Sequence, residues 1–469
     1  MISNTDTLDL RFRSALRRMA DQGRLAHHDR PIDLELAVAG AMKKHDGDKA
    51  LMFSQVGEFN VPLVGNFLAC PANCEAAFGV GYQDIRNFVE RALGAPQDPV
   101  MVQAPPVQEV VTTDGIDIGA TLPVLKHTRS DAGRFITAGI VIFRDPDSGV
   151  HNASYHRLQL VGPDRTAIKL DFGRHLRLAF ERAKERGVDL PVAVCIGADV
   201  SLQFVAATMG SQLPEDADEL AVAGGLAGQP LAVAQAVTQD VVVAADAEIV
   251  LEGTISVSET IHEGPFGEFI GLMSPPGDAP VVQVTALTHR AAPIYHAING
   301  YGRETVVLRK YVMEASLMKV LRAAAPFVKD VNMTPGGLHR FHAILQVEKT
   351  GPAHEGFARN AMMASFGALK DLDLVIVVDD DIDLNDPHDV EYALAMRFDA
   401  GRDLVLIPDA RGHEMVRASR GGIRAKLGLD ATVPFDQKDG YRRLHFEPSD
   451  LDATDFGDVS DTMRERFGL

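Results

Sequence analysis

Cysteine is scarce in this 469-residue chain, which contains three: Cys70, Cys74 and Cys195. Three cysteines do not make the disulfide framework of a secreted protein. Cys70 and Cys74 have a spacing that suits one face of a helix, but no second pair completes a zinc site. The pattern therefore favours buried thiols and a reducing cytoplasm.

Basic residues are also in short supply, because 46 Lys and Arg face 65 Asp and Glu, which gives a net charge of -19. Nucleic acids and anionic membranes are bound through basic patches, so this charge argues against both as general partners. It also means that an anionic cofactor or substrate needs local cations from Arg, His or a metal ion.

Long apolar runs are missing as well, since none approaches the length of a transmembrane helix. The N-terminal segment is acidic and lacks the apolar core of a signal peptide. These absences predict a cytoplasmic enzyme, with a soluble binding protein as the alternative.

The length of the chain predicts two or three domains, because single hydrophobic cores stop growing at about 250–300 residues. Residues 1–106 have the patterns of a small α/β domain that closes in an extended, proline-marked segment. Residues 107–305 carry many short, unevenly spaced strand patterns, which predict an antiparallel sheet or open barrel. A long helical pattern at 306–326 leads to an α/β region at 327–469. The predicted fold class is therefore mixed α/β (α+β).

The periodicity of apolar residues predicts the individual elements. The predicted helices are 7–20 (capped by Asp6), 34–44, 82–93, 175–186, 218–227, 306–325, 355–370 and 388–397. The predicted strands are 50–53, 136–143, 151–161, 167–171, 192–197, 241–243, 247–257, 281–288, 341–349 and 372–378.

Residues 250–271 are the stretch around which the middle region is organised. They begin as a β-rich run and then turn sharply between Glu263 and Glu268. The Gly-Pro pair at 264–265 and Gly267 give the turn unusual and fixed backbone angles. A stiff bend with a carboxylate at each end suits general acid–base catalysis, which needs a proton donor within hydrogen-bond reach. The alternative is a solvated turn that carries two glutamates.

Four other polar residues lie near predicted strands of the middle region. Asn152 and Arg157 fall on opposite sides of one strand, His175 begins a helix, and Glu219 lies in an acidic run. Each also has an ordinary explanation: a surface ion pair for Arg157, a helix-start residue for His175, and a solvated run for Glu219. Their spacings match no short metal-binding motif, so these alternatives stay open.

Taken together, the motifs of the chain form an ordered set over residues 100–435. The set comprises the run 250–256 before the Glu-Gly-Pro-Phe-Gly-Glu turn, Asn152 with Arg157 five residues later, His175, Glu219 before the small-residue run 221–228, Val-Val-Asp-Asp-Asp-Ile-Asp at 377–383, and Lys-Leu-Gly-Leu-Asp-Ala-Thr at 426–432. In this combination and order the chain resembles the UbiD-type decarboxylases, which use prenylated FMN.

The resemblance implies a cofactor site. Asn152, His175 and Glu219 would hold a divalent metal, Mn²⁺, against the phosphate of prenylated FMN, with K⁺ or Na⁺ beside it. Oxygen, imidazole and carboxylate ligands suit Mn²⁺, and such an ion screens the phosphate from an acidic protein. A flavin prenyltransferase would supply the cofactor.

The resemblance also implies a catalytic network of Arg157, Glu263 and Glu268. Glu268 would be the proton donor and acceptor, while Arg157 would contact the cofactor, bind Glu263 and polarise the substrate carboxylate. Loss of CO₂ from an unsaturated carbon needs an electron sink that no side chain supplies. The implied reaction is the reversible, non-oxidative decarboxylation of an aromatic acid.

The implied architecture is a β-rich, split-barrel-like flavin-binding domain between the small N-terminal domain and a C-terminal domain. The C-terminal α/β domain, joined by the long helix, would mediate homodimers or larger homo-oligomers.

His296, Arg303 and Arg340 are the predicted substrate-binding residues, in segments rich in Gly and aromatic residues. They would suit a second anionic group, and the chain also resembles the furan-dicarboxylate decarboxylases. The hypothesis is a di-acid substrate such as furan-2,5-dicarboxylate. The alternative is that Arg303 pairs with Glu304 or Glu314 and that His296 packs in the core.

Two other functions remain open from the sequence. One is a non-catalytic or redox flavoprotein on the same β-rich fold. The other is a metal-dependent hydrolase that uses Glu219, His175 and a water molecule. Both predict no release of CO₂, and the hydrolase predicts activity without flavin.

Overall fold

The computed structural model describes residues 7–171, 174–208, 213–214, 216–444 and 459–468. Its α-helices are Phe12–Asp21, Ala37–Lys44, Pro71–Phe78, Tyr82–Ala92, Ile118–Thr121, His175–Glu185, Val200–Ala206, Glu219–Ala227, Glu304–Ala324, Phe357–Ala368, Pro387–Arg397 and Asp461–Phe467. Short 3₁₀ turns occur at Pro106–Gln108, Pro352–His354 and Phe435–Tyr441. Across these ranges, no helix combines the length and apolar character needed to cross a membrane.

The largest sheet is a nine-stranded, wholly antiparallel half-barrel. In spatial order its strands are Phe135–Ile136, Leu158–Leu160, Arg165–Ile168, Gly277–His289, Ile249–Glu263, Leu190–Ile196, Ile140–Arg144 and His151–Tyr155, with Val110–Thr112 added beside Gly277–His289. The predicted antiparallel or open-barrel arrangement of the middle region is therefore confirmed. Apolar residues on both faces of this sheet are buried in two large cores.

The strand Ile249–Glu263 is the longest in the molecule as described, and it ends at the acidic turn. The sequence predicts strand only over 247–257, because polar residues follow. Pairing with Gly277–His289 nevertheless resumes after an irregular stretch and continues until Glu263 lies opposite Gly277. The sheet thus fixes the backbone of the first glutamate of the turn.

Four smaller sheets accompany the half-barrel. They comprise Leu25–His28, Ala50–Phe53, Leu63–Gly65 and Tyr295–His296; Val242–Ala244, Ala232–Gln235 and Val100–Met101; Phe266–Gly267 and Met273–Ser274; and Val328–Met333, His342–Val347, Leu374–Asp379, Ile423–Ala431 and Leu404–Arg411. The last is the mixed sheet of the C-terminal α/β region, with its middle three strands parallel.

The first helix begins at Phe12, five residues after the predicted start at Thr7. Asp6, which was expected to cap it, lies outside the described residues. The N–H of Leu8 donates to the carbonyl oxygen of Ala227 at 2.8 Å. Because this backbone group is bound elsewhere in the fold, the chain before Phe12 stays extended.

The helix Glu304–Ala324 ties the three regions together through a buried polar network. Lys310 bonds to the carboxylate of Glu314, and its Nζ donates to Asn332 Oδ1 at 2.6 Å. The hydroxyl of Tyr82, from the N-terminal region, donates to the same Glu314. Since Asn332 belongs to the C-terminal sheet, this network joins both outer regions to the linking helix.

Candidate active site

Arg157 lies at the centre of a hydrogen-bonded cluster with both glutamates of the acidic turn. Its Nε and Nη2 donate to the two carboxylate oxygens of Glu263, at 2.7 and 3.0 Å. Its Nη1 donates to Glu268 Oε1, and its Nη2 also donates to Ser274 Oγ at 3.0 Å. A bidentate pair of this kind fixes the plane of the guanidinium. The structure thus brings together the three residues of the predicted catalytic network.

This cluster is shielded from solvent. Glu263 is 2% exposed, and the side chains of Arg157 and Glu268 keep 11% and 17% of their exposure. Burial alone would lower the pKa of Arg157, but its bonds to the two glutamates outweigh burial and raise that pKa above its usual value. The guanidinium is therefore charged, and neither a solvated turn nor a surface ion pair describes this geometry.

Backbone hydrogen bonds hold the acidic turn in place. The N–H of Gly264 donates to Gln159 Oε1 at 2.8 Å, and the N–H of Gly267 donates to Asp131 Oδ1 at 3.1 Å. Gly264 has a φ of 81°, in the left-handed region that favours glycine. These contacts anchor the turn to neighbouring segments, so that both carboxylates face the same guanidinium.

Phe266 provides an apolar surface beneath the cluster. The guanidinium carbon of Arg157 lies 5.0 Å from its ring centroid, a cation–π distance. The rings of Phe135 and His127 pack against Phe266 at 4.6 and 5.8 Å. Burial lowers the pKa of His127 to about 4, so this imidazole is neutral near pH 7 and adds no charge to the site.

A neighbouring loop packs against the back of the turn. A Cβ atom on Gly300 would collide with the carbonyl oxygen of Gly267 and with the ring of Phe266. The ring of Tyr301 lies 2.9 Å from the position that a Cβ on Gly271 would occupy. Such close approach of two backbones requires glycine, so position 300 helps to set the position of the turn.

Asn152, His175 and Glu219 form a second cluster, contributed by one strand and the first residues of two helices. Asn152 Nδ2 donates to His175 Nδ1 at 2.8 Å, and this nitrogen lies 3.6 Å from Glu219 Oε1. The other oxygen of Glu219 accepts the N–H of Ala153. The fold thus brings three residues into contact that are far apart in sequence.

The donor set of this second cluster fits a divalent cation. Asn152 Oδ1 is buried and has no hydrogen-bond partner among the described residues, and a cation would satisfy it. Amide oxygen, imidazole nitrogen and carboxylate are ligands that suit Mn²⁺. Burial raises the pKa of Glu219 despite its bonds to His175 and Ala153, and a cation would favour its charged form.

One of the three candidate metal ligands, Asn152, is an amide rather than an acid or an imidazole. Over the ranges that the structure describes, no group of three or more His, Cys, Asp or Glu side chains has a metal-binding arrangement. The Asn152, His175 and Glu219 cluster contributes two such side chains and one asparagine. Its assignment as a metal site stays a prediction.

The two clusters are linked by one short stretch of chain. Asn152 lies in the strand His151–Tyr155, and Arg157 follows two residues after that strand ends. Five residues of extended chain span at most about 16 Å, at roughly 3.3 Å per residue. An elongated ligand can therefore contact both clusters at once.

His296 and Arg303, two of the predicted substrate residues, make no hydrogen bond or ion pair with the Arg157 cluster in the described structure. His296 is 1% exposed in the core, with its Nε2 3.0 Å from Glu304 Oε1. This core position is the structural alternative that the sequence left open. Arg303 is exposed, its side chain covers Gly47, and within the described residues it pairs with neither Glu304 nor Glu314.

Arg340, the third predicted substrate residue, lies close to the acidic turn. Its guanidinium carbon is 5.3 Å from the ring centroid of Phe269, the residue after Glu268. Its Nε and Nη2 both donate to Asp371 Oδ2, at 2.8 and 2.6 Å. Arg340 therefore contacts the residue that follows the acidic turn, from the C-terminal region.

Three residues of the site were not predicted from the sequence. Gln159 and Asp131 hold the turn, and Ser274 contacts Arg157. Gln159 carried a usable signal, because it follows Arg157 by two residues and side chains two apart in an extended chain share a face. Asp131 and Ser274 carried none, since a loop brings Asp131 to the site and the short strand Met273–Ser274 brings Ser274.

Three family models match the chain. They are described as the N-terminal domain (residues 16–92), the Rift-related domain (residues 100–302) and the C-terminal domain (residues 306–431) of 3-octaprenyl-4-hydroxybenzoate carboxy-lyase, UbiD.

Two similar proteins have names that state an activity. The anhydromevalonate phosphate decarboxylase of Methanothermobacter thermautotrophicus is 32% identical over 418 residues, which cover 88% of this chain and 95% of that protein. The gallate decarboxylase of Lactiplantibacillus plantarum is 30% identical over 85% of this chain and 86% of that protein.

A solved structure is similar over almost the whole chain. The UbiD-class enzyme HmfF from Pelotomaculum thermopropionicum, in complex with FMN, has a TM-score of 0.90 and 37% identity over 95% of this chain and 98% of that one. An evolved dimeric form of HmfF in complex with prFMN has a TM-score of 0.87 and 36% identity, with the same coverage. The three matching family models, together with relatives aligned over most of their length, lead to one conclusion: the chain belongs to the UbiD family of carboxy-lyases.

Proposed function

We propose that this protein catalyses the reversible, non-oxidative decarboxylation of an aromatic or heteroaromatic carboxylic acid, with prenylated FMN as its cofactor. The observation that supports this most is the buried cluster in which Arg157 binds Glu263 through both carboxylate oxygens and also binds Glu268. General acid catalysis at carbon needs a proton donor held in a fixed position, which this geometry supplies. The FMN and prFMN complexes of the similar HmfF support the cofactor.

Glu268 is the proposed proton donor and acceptor. It is more exposed than Glu263, and it bonds to Arg157 through one oxygen. In the described structure its second oxygen has no protein hydrogen bond and is free for a substrate. Glu263, whose two oxygens both bind the guanidinium, keeps Arg157 oriented.

Arg157 is proposed to bind the carboxylate of the substrate. A guanidinium has five N–H donors, and the described contacts of Arg157 use four of them: Nε, one of Nη1 and two of Nη2. One N–H of Nη1 therefore remains available. The apolar ring of Phe266 beneath the guanidinium excludes water from this side and strengthens such a contact.

Asn152, His175 and Glu219 are proposed to hold Mn²⁺ against the cofactor phosphate, with K⁺ or Na⁺ beside it, and Arg157 to contact the cofactor. When bound, prenylated FMN supplies the electron sink for the electrons that remain as CO₂ leaves. Metal analysis of purified protein tests the site. We expect Mn²⁺ in the wild type and its loss in Glu219→Gln, whereas equal metal contents would count against the assignment.

The substrate is proposed to be an aromatic or heteroaromatic acid, with furan-2,5-dicarboxylate as one candidate from the resemblance in sequence. The similar gallate decarboxylase, whose name states an aromatic substrate, supports the aromatic class.

A homodimer or larger homo-oligomer formed through the C-terminal region is also proposed. Exposed apolar side chains there support it, since Met363, Met396 and Leu406 are 51%, 56% and 60% exposed. Sedimentation tests it, and a monomer at micromolar concentration would contradict it.

The central experiment is production of the protein together with a flavin prenyltransferase, purification without oxygen, and measurement of CO₂ release from a panel of aromatic acids. We expect a modified-flavin absorbance spectrum and turnover by the wild type. Glu268→Gln should retain the flavin and lose activity by about 10²- to 10⁴-fold, the usual worth of a general acid. Full activity in this variant would remove the proposed proton donor. Activity without flavin would favour the hydrolase, and flavin binding without CO₂ release would favour the redox flavoprotein.

A further inference from the structure

Arg309 and Arg340 lie beside the end of the acidic turn, and together with the nearby Arg174 we call them the arginine cluster. The guanidinium carbons of Arg309 and Arg340 lie 5.6 and 5.3 Å from the ring centroid of Phe269, the residue that follows Glu268. Arg174 is near enough that its charge affects the pKa of both other arginines. Arg309 comes from the linking helix, and Arg340 comes from the C-terminal region.

Arg309 differs from Arg340 in having no anionic partner among the described residues. Arg340 is held by two hydrogen bonds to Asp371. Arg309 makes no hydrogen bond or ion pair with any described residue, and its Nε is buried without a partner. Arg309 is half-buried, and because its Nε is withdrawn from water without a partner, an anionic ligand at this point would stabilise the guanidinium.

Arg309 lies near two other arginines, although the whole protein carries a net charge of -19. Burial lowers the pKa of Arg309, and repulsion from Arg340 and Arg174 lowers it further. Asp171 and Asp371 oppose this shift, but Asp371 is already bound by Arg340. Because Asp371 is bound by Arg340, it forms no ion pair with Arg309 in the described structure.

We propose that Arg309 recognises an anionic group of the substrate, at the end away from the carboxylate that is lost. This inference rests on the proposed function and assigns the second anion to a residue outside the set that the sequence predicted. Carboxylate and phosphate share the required chemistry, since a guanidinium binds both through paired N–H groups. Arg340 and Arg174 support the site through their charge, and Arg309 is the residue that determines specificity.

Arg309→Met tests this proposal, because Met keeps most of the side-chain length and the helix propensity while removing the charge. The measurement is the Kd of the flavin-loaded protein for furan-2,5-dicarboxylate, for its mono-acid 2-furoate, and for anhydromevalonate phosphate. We expect the wild type to bind at least one of the two doubly anionic acids at least 10-fold more tightly than 2-furoate. In Arg309→Met that preference should fall about 10- to 100-fold, the range for a hydrogen bond to a charged group, and Arg309→Lys should recover part of it.

Arg322→Met is the matched control, because Arg322 lies on the same helix but is exposed and paired with Glu90. It should leave the preference within twofold of wild type. The acid whose preference is lost identifies the anion as carboxylate or phosphate. A wild type without any preference, or a preference unchanged in Arg309→Met, overturns the proposal. Loss of bound flavin with an unchanged preference assigns the charge to the cofactor phosphate and also overturns it. Release of CO₂ from mono-acids tests the proposed function separately from all of these outcomes.

Discussion

Arg157 and Glu263 show why a buried ion pair is hard to remove one residue at a time. The pair has two hydrogen bonds and Glu263 is almost fully buried. An intact pair of this kind adds little stability compared with apolar residues, because both charges lose their hydration. Removal of one partner is costly, since it leaves the other charge buried and alone.

Arg157→Met should therefore lower the free energy of unfolding by about 3–5 kcal/mol. The double variant Arg157→Met with Glu263→Gln should recover part of this loss, because the remaining carboxylate is neutralised. Urea unfolding of both proteins provides the measurement. Arg144→Met, which breaks an exposed pair with Asp240, should change the stability by less than about 1 kcal/mol. Equal stability of the single and double variants would contradict this explanation.

Asp199 gives the stability a dependence on pH. Burial raises its pKa to about 7, and its Oδ1 has no partner among the described residues. The folded state therefore holds the proton more tightly than the unfolded chain, whose pKa is about 3.9. Its contribution is present below that unfolded pKa and is lost as the pH rises towards 7.

Asp199→Asn should stabilise the protein more at high pH than at low pH, because the amide never ionises. We expect the gain in unfolding free energy to grow by about 2 kcal/mol between pH 5 and pH 8. Calorimetry of the variant and the wild type at both pH values measures this. A gain that is the same at pH 5 and pH 8 would show that ionisation of Asp199 is not the cause.

Among the helices and strands, those with a clear local pattern of apolar residues were predicted correctly from the sequence. The helix at 306–325 is found as Glu304–Ala324, because its buried apolar positions recur with helical spacing. The strands Leu404–Arg411 and Ile423–Ala431 were missed, since Pro408 and Asp409 interrupt the first and polar residues interrupt the second. Both are held by pairing within the C-terminal sheet. The strand that ends at Glu263 was predicted too short for the same reason.

The candidate site was predictable to a similar degree. Resemblance, rather than local pattern, indicated that Arg157 belongs with Glu263 and Glu268, because Arg157 is more than a hundred residues from either glutamate and tertiary folding joins them. Arg309 was missed although a charged residue inside an apolar helical pattern is a usable signal. The role of His296 in substrate binding stays a prediction, since a histidine near glycines can equally pack in a core.

Gly300→Ala tests how far the neighbouring loop positions the acidic turn. The added Cβ would collide with the carbonyl of Gly267, so the turn must move. We expect the variant to fold and bind flavin but to lose about 10²-fold in kcat, the usual cost of a 1 Å misplacement. Gly336→Ala is the control, because no atom lies within 4 Å of its Cβ position. Unchanged kcat in Gly300→Ala would mean that the turn is held without this loop.

For the whole molecule, the buried network on the linking helix decides whether the three regions unfold together. Burial lowers the pKa of Lys310, and its contacts with Glu314 and Asn332 offset the cost of its charge. Without that charge, the fully buried Glu314 would keep Tyr82, the N–H of Met333 and Arg86, whose Nε lies 3.8 Å away, but would lose its ion pair with Lys310.

Lys310→Met should destabilise the contact between the regions by about 3–5 kcal/mol. Calorimetry should then show a lower transition temperature and separation of the single transition into more than one. Lys319→Met, at an exposed position of the same helix, should leave the profile unchanged. A single transition at the wild-type temperature in Lys310→Met would contradict the role of this network.

Arg309 and Lys310 are consecutive, and a helix turns about 100° between neighbours. Arg309 points to the end of the acidic turn, and Lys310 points to the contact between the regions. Laboratory evolution of a new substrate range would therefore meet a trade-off along this helix, because mutations that tilt or rotate it to reshape the pocket also disturb the joint that keeps the enzyme assembled. Libraries that vary position 309 while retaining Lys310 and Glu314 would separate catalytic scope from thermal tolerance.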